Sequence, residues 1–185
     1  MGEEKPEKHS KDVPLVPGSS RQQNGRSMDT LDLLRARCEG RNINPETLLA
    51  TDYLNHFNEI IMLLDMVPDM PEILEDCRGW QPKTYAEHFR DSVFSDKDLA
   101  IEAYDHAPPR YRDPFNETIE QMNTLALQSV ARVDQALADG AQDMAGEWAR
   151  SASRTLQKLI DVASAIIHGS STTLDQAEID AMIGF

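Results

Sequence analysis

The stretch NETIEQMN, residues 116–123, gathers carboxylate and amide side chains at helical spacing. On a helix, an amide can hydrogen-bond a water molecule while a carboxylate orients that water for attack on a phosphoryl group. The plainer alternative is a solvated face whose acids lie near a helix N-terminus, where the macrodipole favours negative charge. Taken alone, the stretch favours this alternative, yet it supplies four candidate catalytic residues: Glu117, Glu120, Gln121 and Asn123.

A second group of side chains has the chemistry of metal ligands. Asp52, His56 and Glu59 are spaced i, i+4 and i+7, so on a helix they share a face. Further ligands could come from other acid and histidine positions, namely Glu87 with His88, or Glu102, Asp105 and His106. Di-iron sites in helical bundles use a Glu-x-x-His spacing on two helices, and that spacing does not occur in this chain. We therefore expect no metal and a solvated face, opposite Phe57 and Ile60.

The third candidate is the final segment, TLDQAEIDAMIGF, which is acidic and carries apolar residues at helical spacing. Ile179, Met182 and Ile183 share a helix face, with Glu178 and Asp180 on its flank. A few apolar anchors with flanking charges are typical of a helix that binds in a partner's groove. Some twelve residues do not hold a helix alone in water, so we expect the segment to be mostly disordered when free. The alternative is that it folds back onto the rest of the chain.

This segment resembles the peptide with which the flagellar motor switch protein FliM binds phosphorylated CheY, whose pattern is close to L-S-Q-x-E-I-D-A-L-L. The positions that match are Leu174, Gln176, Glu178, Ile179, Asp180 and Ala181, with Met182 and Ile183 as apolar substitutes. The peptide is N-terminal in FliM and C-terminal here. The layout is similar to that of the chemotaxis phosphatase family CheZ, which has a long helical hairpin, a flexible linker and a CheY-binding helix that ends in Gly-Phe, as Gly184 and Phe185 do here.

The resemblance implies a CheY-like response regulator as partner, bound through Leu174, Gln176, Glu178, Ile179, Asp180, Met182, Ile183 and Phe185. It also implies a phosphatase acting on the aspartyl phosphate of that partner, with Mg²⁺ on the partner's receiver domain and no cofactor of its own. The CheZ family carries its catalytic Asp and Gln within a Phe-Gln-Asp-Leu-Thr-Gly-Gln-like segment, which does not occur in this chain. Glu117 and Gln121 are four apart, whereas Glu120 and Asn123 have the Glu-x-x-Asn spacing of the unrelated CheC and CheX phosphatases.

Two other functions stay open. The first is a non-catalytic adaptor or localisation factor that uses the tail as a docking peptide. The second, less favoured, is a small helical metal-binding protein.

The elements that must position these residues are predicted to be helices, because long alternating β-branched runs are nearly absent. We expect an all-α fold: a helical bundle built around a long antiparallel hairpin at 114–168. Asp113 is the predicted N-cap of its first helix, Pro114 the first helical residue, and Asp-Gly at 139–140 the turn. An earlier helix is predicted over 45–67, with Asn44 as its N-cap, and short helices are expected near 70–77, 83–90 and 96–105.

The predicted core residues of these helices recur at spacings of three and four. They are Leu49, Tyr53, Phe57, Ile60, Ile61 and Leu64; then Phe115, Ile119, Met122, Ala126, Val130, Val133 and Leu137; then Met144, Trp148, Ala152, Leu156, Leu159, Ala163 and Ile166.

The resulting organisation is one helical domain with tails. Residues 1–27 are rich in Lys, Glu, Pro, Gly, Ser and Gln, which predicts a disordered N-terminal tail. The helical domain covers 28–168, a flexible linker 169–173 and the partner-binding helix 174–185. The hairpin could also pair with a second copy to form a homodimer.

Bulk properties exclude several classes of partner. A net charge of −14 disfavours nucleic acid, since phosphate binding needs a basic surface. The longest apolar run, IIMLL at 60–64, is far shorter than the roughly 18 residues of a membrane span. Two cysteines without a CxxC pair indicate neither a disulfide framework nor a zinc site. We expect a cytoplasmic protein with no nucleic-acid partner and no membrane span.

Overall fold

The structure is a computed structural model that describes residue 1, residues 22–170 and residues 176–183. Eight α-helices are found in this part of the chain: α1 Gln22–Cys38, α2 Asn55–Met66, α3 Leu74–Gly79, α4 Tyr85–Asp91, α5 Lys97–Asp105, α6 Pro109–Ala138, α7 Gln142–Ile167 and α8 Gln176–Ile183. The described residues contain no strand, although an isolated β-bridge pairs Ile43 with Ala50. The prediction of an all-α chain is confirmed.

Helices α6 and α7 are the two longest elements among the described residues, of 30 and 26 residues, and they pack against each other across the short turn at 139–141. Asp139 ends α6, and Gly140 turns the chain with a φ of +76°. The Gly140 N–H donates to the Leu137 carbonyl at 3.1 Å and the Ala141 N–H to the Ala136 carbonyl at 2.9 Å. These two bonds form a Schellman motif, the usual way in which a glycine closes a helix and reverses the chain.

The predicted apolar positions of α6 and α7 are mostly buried, because both helices turn one face inward. The exceptions are Leu137 and Trp148, which are half-buried, and Met144, which is 46% exposed. Arg132 covers Trp148, with its guanidinium carbon 3.9 Å from the ring centroid. That contact gives the half-buried indole a cationic partner at the surface.

The start of α6 was predicted wrongly. The helix begins at Pro109, five residues before Pro114, which lies inside it. The Pro108 carbonyl already accepts the N–H groups of Tyr111 and Arg112, at 2.9 and 3.0 Å. The physical reason is the Pro108–Pro109 pair: a residue before proline is kept out of the helical region, while the second proline suits the first helical position.

The start of α2 was also predicted wrongly, at 45 instead of Asn55. Asn44 does cap a turn, since its Oδ1 accepts the N–H groups of Glu46 and Thr47 at 2.8 and 3.1 Å. The turn cannot continue because Leu48 adopts a φ of +60°. The Thr47 hydroxyl donates to the Ile167 carbonyl at 2.7 Å, which joins this loop to the end of α7.

Some of the remaining helices pack on the hairpin and others pack on one another. Helix α2 packs on α7, α3 contacts both α2 and α6, and α4 packs against α5. The predicted stripe on the 45–67 segment, Leu49 to Leu64, is buried at all six positions. No helix in the described ranges is both long enough and apolar enough to cross a membrane.

An ion pair connects helix α1 to helix α5. The Arg37 guanidinium makes two bonds to the Glu102 carboxylate, at 2.7 and 2.8 Å, while Leu34 and Cys38 are buried beneath. The predicted boundary at 27/28 falls within α1, and residues 2–21 of the predicted tail lie outside the described residues.

Candidate functional site

A cleft of about 330 Å³ opens between the first turns of α6, the end of α5 and the segment that leads into α4. Its walls are aromatic and its rim is polar. The aromatic residues are Tyr53, Tyr85, Tyr104 and Phe115; the others are Pro82, Lys83, Thr84, Glu87, Asn116, Ile119, Glu120 and Asn123. A concave, largely apolar site with a few polar groups is the usual form of a ligand site.

The aromatic walls belong to a larger cluster that explains why the cleft keeps its shape. Tyr85 is central: its ring centroid lies 5.1 Å from that of Tyr53, 6.2 Å from that of Phe115 and 4.4 Å from that of Tyr104, on which it stacks at 18°. Eight of the eleven aromatic residues form this connected set, which also includes Phe57, Trp80, Phe89 and Phe94. Rings contributed by six parts of the chain therefore meet at one place.

The three tyrosine hydroxyls bond these walls to neighbouring segments, two through the backbone and one through a side chain. Tyr53 donates to the Lys83 carbonyl at 2.7 Å, and Tyr85 accepts the Ala50 N–H at 2.9 Å. Tyr104 donates to Asn116 Oδ1 at 2.8 Å. Burial raises the pKa of Tyr53 and of Tyr85 well above the usual value, so both remain neutral phenols. They act as rigid walls and not as acids or bases.

One side of the rim is a helix cap. The Thr84 N–H donates to Glu87 Oε2 at 2.8 Å, and the Glu87 N–H donates to Thr84 Oγ1 at 3.2 Å, which is a complete capping box at the start of α4. The bonds from the Thr84 side chain and backbone hold the pKa of Glu87 below its usual value. Glu87 is consequently a carboxylate at neutral pH.

Two of the four candidate catalytic residues line the cleft. Asn116, Glu120 and Asn123 are spaced i, i+4 and i+7, so they share the face of α6 that borders it. Glu117 and Gln121 are not among the lining residues, because they project from other sides of the same turns. Asn123 Oδ1 is buried and has no hydrogen-bond partner among the described residues.

The candidate metal ligands are arranged differently from the sequence-based expectation. His56 is 7% exposed and stacks on Trp80, with centroids 4.8 Å apart and planes 21° apart. The expectation that this face is solvated is therefore wrong for His56, while Glu59 is exposed. Burial lowers the pKa of His56 to about 4. Glu102 is engaged by Arg37, and no group of three or more His, Cys, Asp or Glu among the described residues is arranged to hold a metal ion.

The C-terminal segment is represented by α8, Gln176–Ile183, which lies against α7. Glu178 is exposed and Met182 half-buried. Leu174 and Phe185 lie outside the described residues, and only the backbone is described for Gln176, Ile179, Asp180 and Ile183. The backbone is helical at six of the eight predicted partner-binding positions.

Comparison of the chain with protein-family models, with curated proteins and with solved structures finds no match. Sequence reasoning missed Tyr85, Tyr104 and Lys83, which come from the proline-broken region, and it considered Glu87 as a metal ligand and not as part of this cleft. The one available signal was the concentration of aromatic residues there, but a single sequence does not show that they meet α6.

Proposed function

We propose that this protein binds a CheY-like response regulator through residues 174–185 and accelerates loss of the regulator's aspartyl phosphate at the cleft face of α6. The observation that carries the proposal is the tail pattern, in which six positions match the CheY-binding peptide and α8 spans five of them. Anchors on a short helix with flanking acids suit a groove on a receiver domain.

The cleft supplies the groups that such a phosphatase needs. In the proposed reaction, the Asn123 amide hydrogen-bonds a water molecule and the Glu120 carboxylate orients it. The water oxygen attacks phosphorus, the bond between phosphorus and the aspartyl oxygen breaks, and inorganic phosphate and a free carboxylate are released. The chain needs no cofactor for this, since the Mg²⁺ that neutralises the phosphoryl oxygens belongs to the receiver domain.

Binding is tested with a peptide of residues 172–185. Titration with a CheY-like regulator, phosphorylated and unphosphorylated, is expected to show binding that is tighter to the phosphorylated form. Equal affinity for the two forms, or no binding, would remove the tail from the proposal.

Catalysis is tested by following decay of the phosphorylated regulator with and without the full chain. Glu120→Gln and Asn123→Ala are each expected to slow the accelerated decay by roughly 10²-fold, the usual contribution of a positioned acid–base group, without changing peptide affinity. Glu117→Gln is the matched control, because it makes the same change on the same helix outside the cleft lining. Loss of activity in Glu117→Gln alone would place the reaction on another face of α6.

A non-catalytic adaptor or localisation factor is the second candidate. It is favoured by the separation of Glu117 and Gln121, the pair with the CheZ-like spacing, from the cleft. In that case deletion of 172–185 abolishes partner capture, while the full chain leaves the lifetime of the phosphorylated regulator unchanged.

A further inference from the structure

We propose that the aromatic cleft binds a small organic cation that carries N–H donors, an alkylammonium or a guanidinium. The proposal does not rest on the proposed receiver partner, since it concerns only what the cleft itself can hold. Three independent features carry it: the aromatic walls, the charge of the rim and an unused buried acceptor.

The first feature is an aromatic cluster of which one ring, that of Tyr104, is partly exposed in the cleft. Tyr53, Tyr85, Tyr104 and Phe115 meet within 4.4–6.2 Å of their neighbours. An aromatic ring carries negative potential on its face, which attracts ammonium groups. Tyr53, Tyr85 and Phe115 pack against one another and are 2%, 5% and 1% exposed, so they back the cleft and do not enclose a ligand. Tyr104 is the half-buried ring of the four, so its exposed part is available to a ligand.

The side chains at the rim of the cleft carry a net negative charge. Glu87 and Glu120 both line the cleft, and the capping bonds keep Glu87 ionised. The lining also includes Lys83, but its Nζ lies 2.8 Å from Asp91 Oδ2, outside the cleft lining. Because that pair is neutral as a unit, the two glutamates set the sign of the potential that a ligand meets.

The unused acceptor requires a donor. Asn123 Oδ1 is buried at the cleft without a hydrogen-bond partner among the described residues, and a buried carbonyl left in this state is costly. An ammonium or guanidinium N–H satisfies it, whereas the carboxylate of an acidic ligand has no donor to offer and would be repelled by Glu120. The volume of about 330 Å³ suits a ligand of a few heavy atoms.

The test uses the full chain in the absence of any response regulator, at 0.15 M salt to screen diffuse attraction to the acidic surface. Three probes are titrated and followed by ¹H–¹⁵N NMR: n-butylammonium, tetramethylammonium and 1-pentanol. Saturable shifts are expected for n-butylammonium, confined to 82–87, Tyr104 and 115–123. Tetramethylammonium, which lacks N–H donors, should bind several-fold more weakly, and 1-pentanol, which lacks the charge, weaker still.

Matched variants assign the binding to the cleft. Glu120→Gln and Asn123→Leu are each expected to weaken n-butylammonium binding about fivefold, the effect of losing one exposed charge pair or one hydrogen bond. Asp161→Asn removes the same charge from an exposed position on α7 and should change the affinity less than twofold. Thermal unfolding of each variant confirms that it is folded.

Three results would overturn the proposal. They are equal binding of n-butylammonium and 1-pentanol, shifts spread over the acidic surface, and equal weakening by Asp161→Asn and Glu120→Gln. None of them bears on regulator binding, which is measured separately with the tail peptide.

Discussion

His56 is a histidine whose surroundings keep it neutral. Its ring stacks on Trp80 and lies 6.1 Å from the ring of His88, and its Nε2 is buried without a hydrogen-bond partner among the described residues. The Trp80 Nε1 donates to the His56 carbonyl at 3.1 Å, which fixes the indole over the imidazole. A proton added to this imidazole would place a charge among aromatic rings.

The first prediction follows from that burial. The pKa of His56 falls from 6.5 in the unfolded chain to about 4 in the folded one, mainly through desolvation. The unfolded state therefore binds the extra proton first, and folding stability declines as the pH drops from about 6.5 to about 4. The loss approaches roughly 3 kcal/mol at the acid end of that range. Burial lowers the pKa of His88 too, which adds to the loss in the same direction.

Urea unfolding at a series of pH values from 7.5 to 4.5 measures this decline. His56→Phe keeps a ring on Trp80 and removes the titration, so its stability should be much less dependent on pH over this range, whatever its absolute value. His88→Phe should remove a smaller part. An unchanged pH dependence in His56→Phe would show that other groups, such as the carboxylates of Glu87 and Asp134, cause the loss.

For individual residues, the sequence predicts which side chains are buried better than it predicts which side chains contact them. The apolar stripe from Leu49 to Leu64 is identified in full, because periodicity reports which face of a helix is apolar. His56 is misplaced because the residue that covers it, Trp80, comes from a segment 24 residues later. Helical spacing predicts that Glu120 and Asn123 lie on one face of a helix. It does not predict that Tyr85 and Tyr104 line the same cleft, because that depends on tertiary packing.

Helix ends are decided by competition between local signals. Asn44 and Asp113 are both good caps in sequence, yet neither begins a long helix. At Asn44 the capped turn ends because burial of Leu48, Leu49 and Ala50 overrides the helical pattern. At Asp113 the helix has already begun, since the double proline provides an earlier start. Existence and order of the helices were therefore predictable, as were the starts of α4 and α5 to within two residues, while the starts of α2 and α6 were not.

The hairpin turn gives the second prediction, at Gly140. Its φ of +76° lies in the left-handed region, where a side chain costs about 1 kcal/mol or slightly more. An added Cβ would meet no atom within 4 Å, so the cost is conformational and not steric. Gly140→Ala should accordingly lower the free energy of unfolding by about this amount.

Gly79→Ala is the control for that measurement. Gly79 also has open space around its added Cβ, but it ends α3 without a left-handed φ. The substitution should be neutral or slightly stabilising in the same chemical denaturation experiment. If both alanine variants lose equal stability, the left-handed turn is not the cause.

Across the whole molecule, α7 connects several parts of the chain. Helices α6, α2 and α8 all pack on it, and the loop before α2 is bonded to its last turn through Thr47. The cleft is lined by the start of α6, which is the other helix of the hairpin. The two proposed activities, partner capture and chemistry at the cleft, are thus assigned to different helices.

The arrangement of α8 gives the last prediction, which concerns the regulator proposed as partner. Because α8 lies against α7, a regulator that encloses this helix must first separate the two. The full chain therefore binds the regulator more weakly than the free peptide 172–185, by the free energy of that contact. A contact of about 1.4 kcal/mol gives a tenfold difference. Calorimetric titration of one regulator with peptide and with full chain measures it.

Hydrogen exchange provides the matching readout that needs no regulator. The amides of 176–183 should exchange more slowly in the full chain than in the peptide, since a segment of this length holds little helix alone. When regulator is added to saturation, the amides of 176–183 should remain protected from exchange, because contacts with the regulator replace the contacts with α7. If the full chain and the peptide have equal affinity for the regulator and equal exchange rates, the contact of α8 with α7 does not compete with the partner. If exchange is slower in the full chain but no regulator binds, the α7 contact is supported and the proposed partner is rejected.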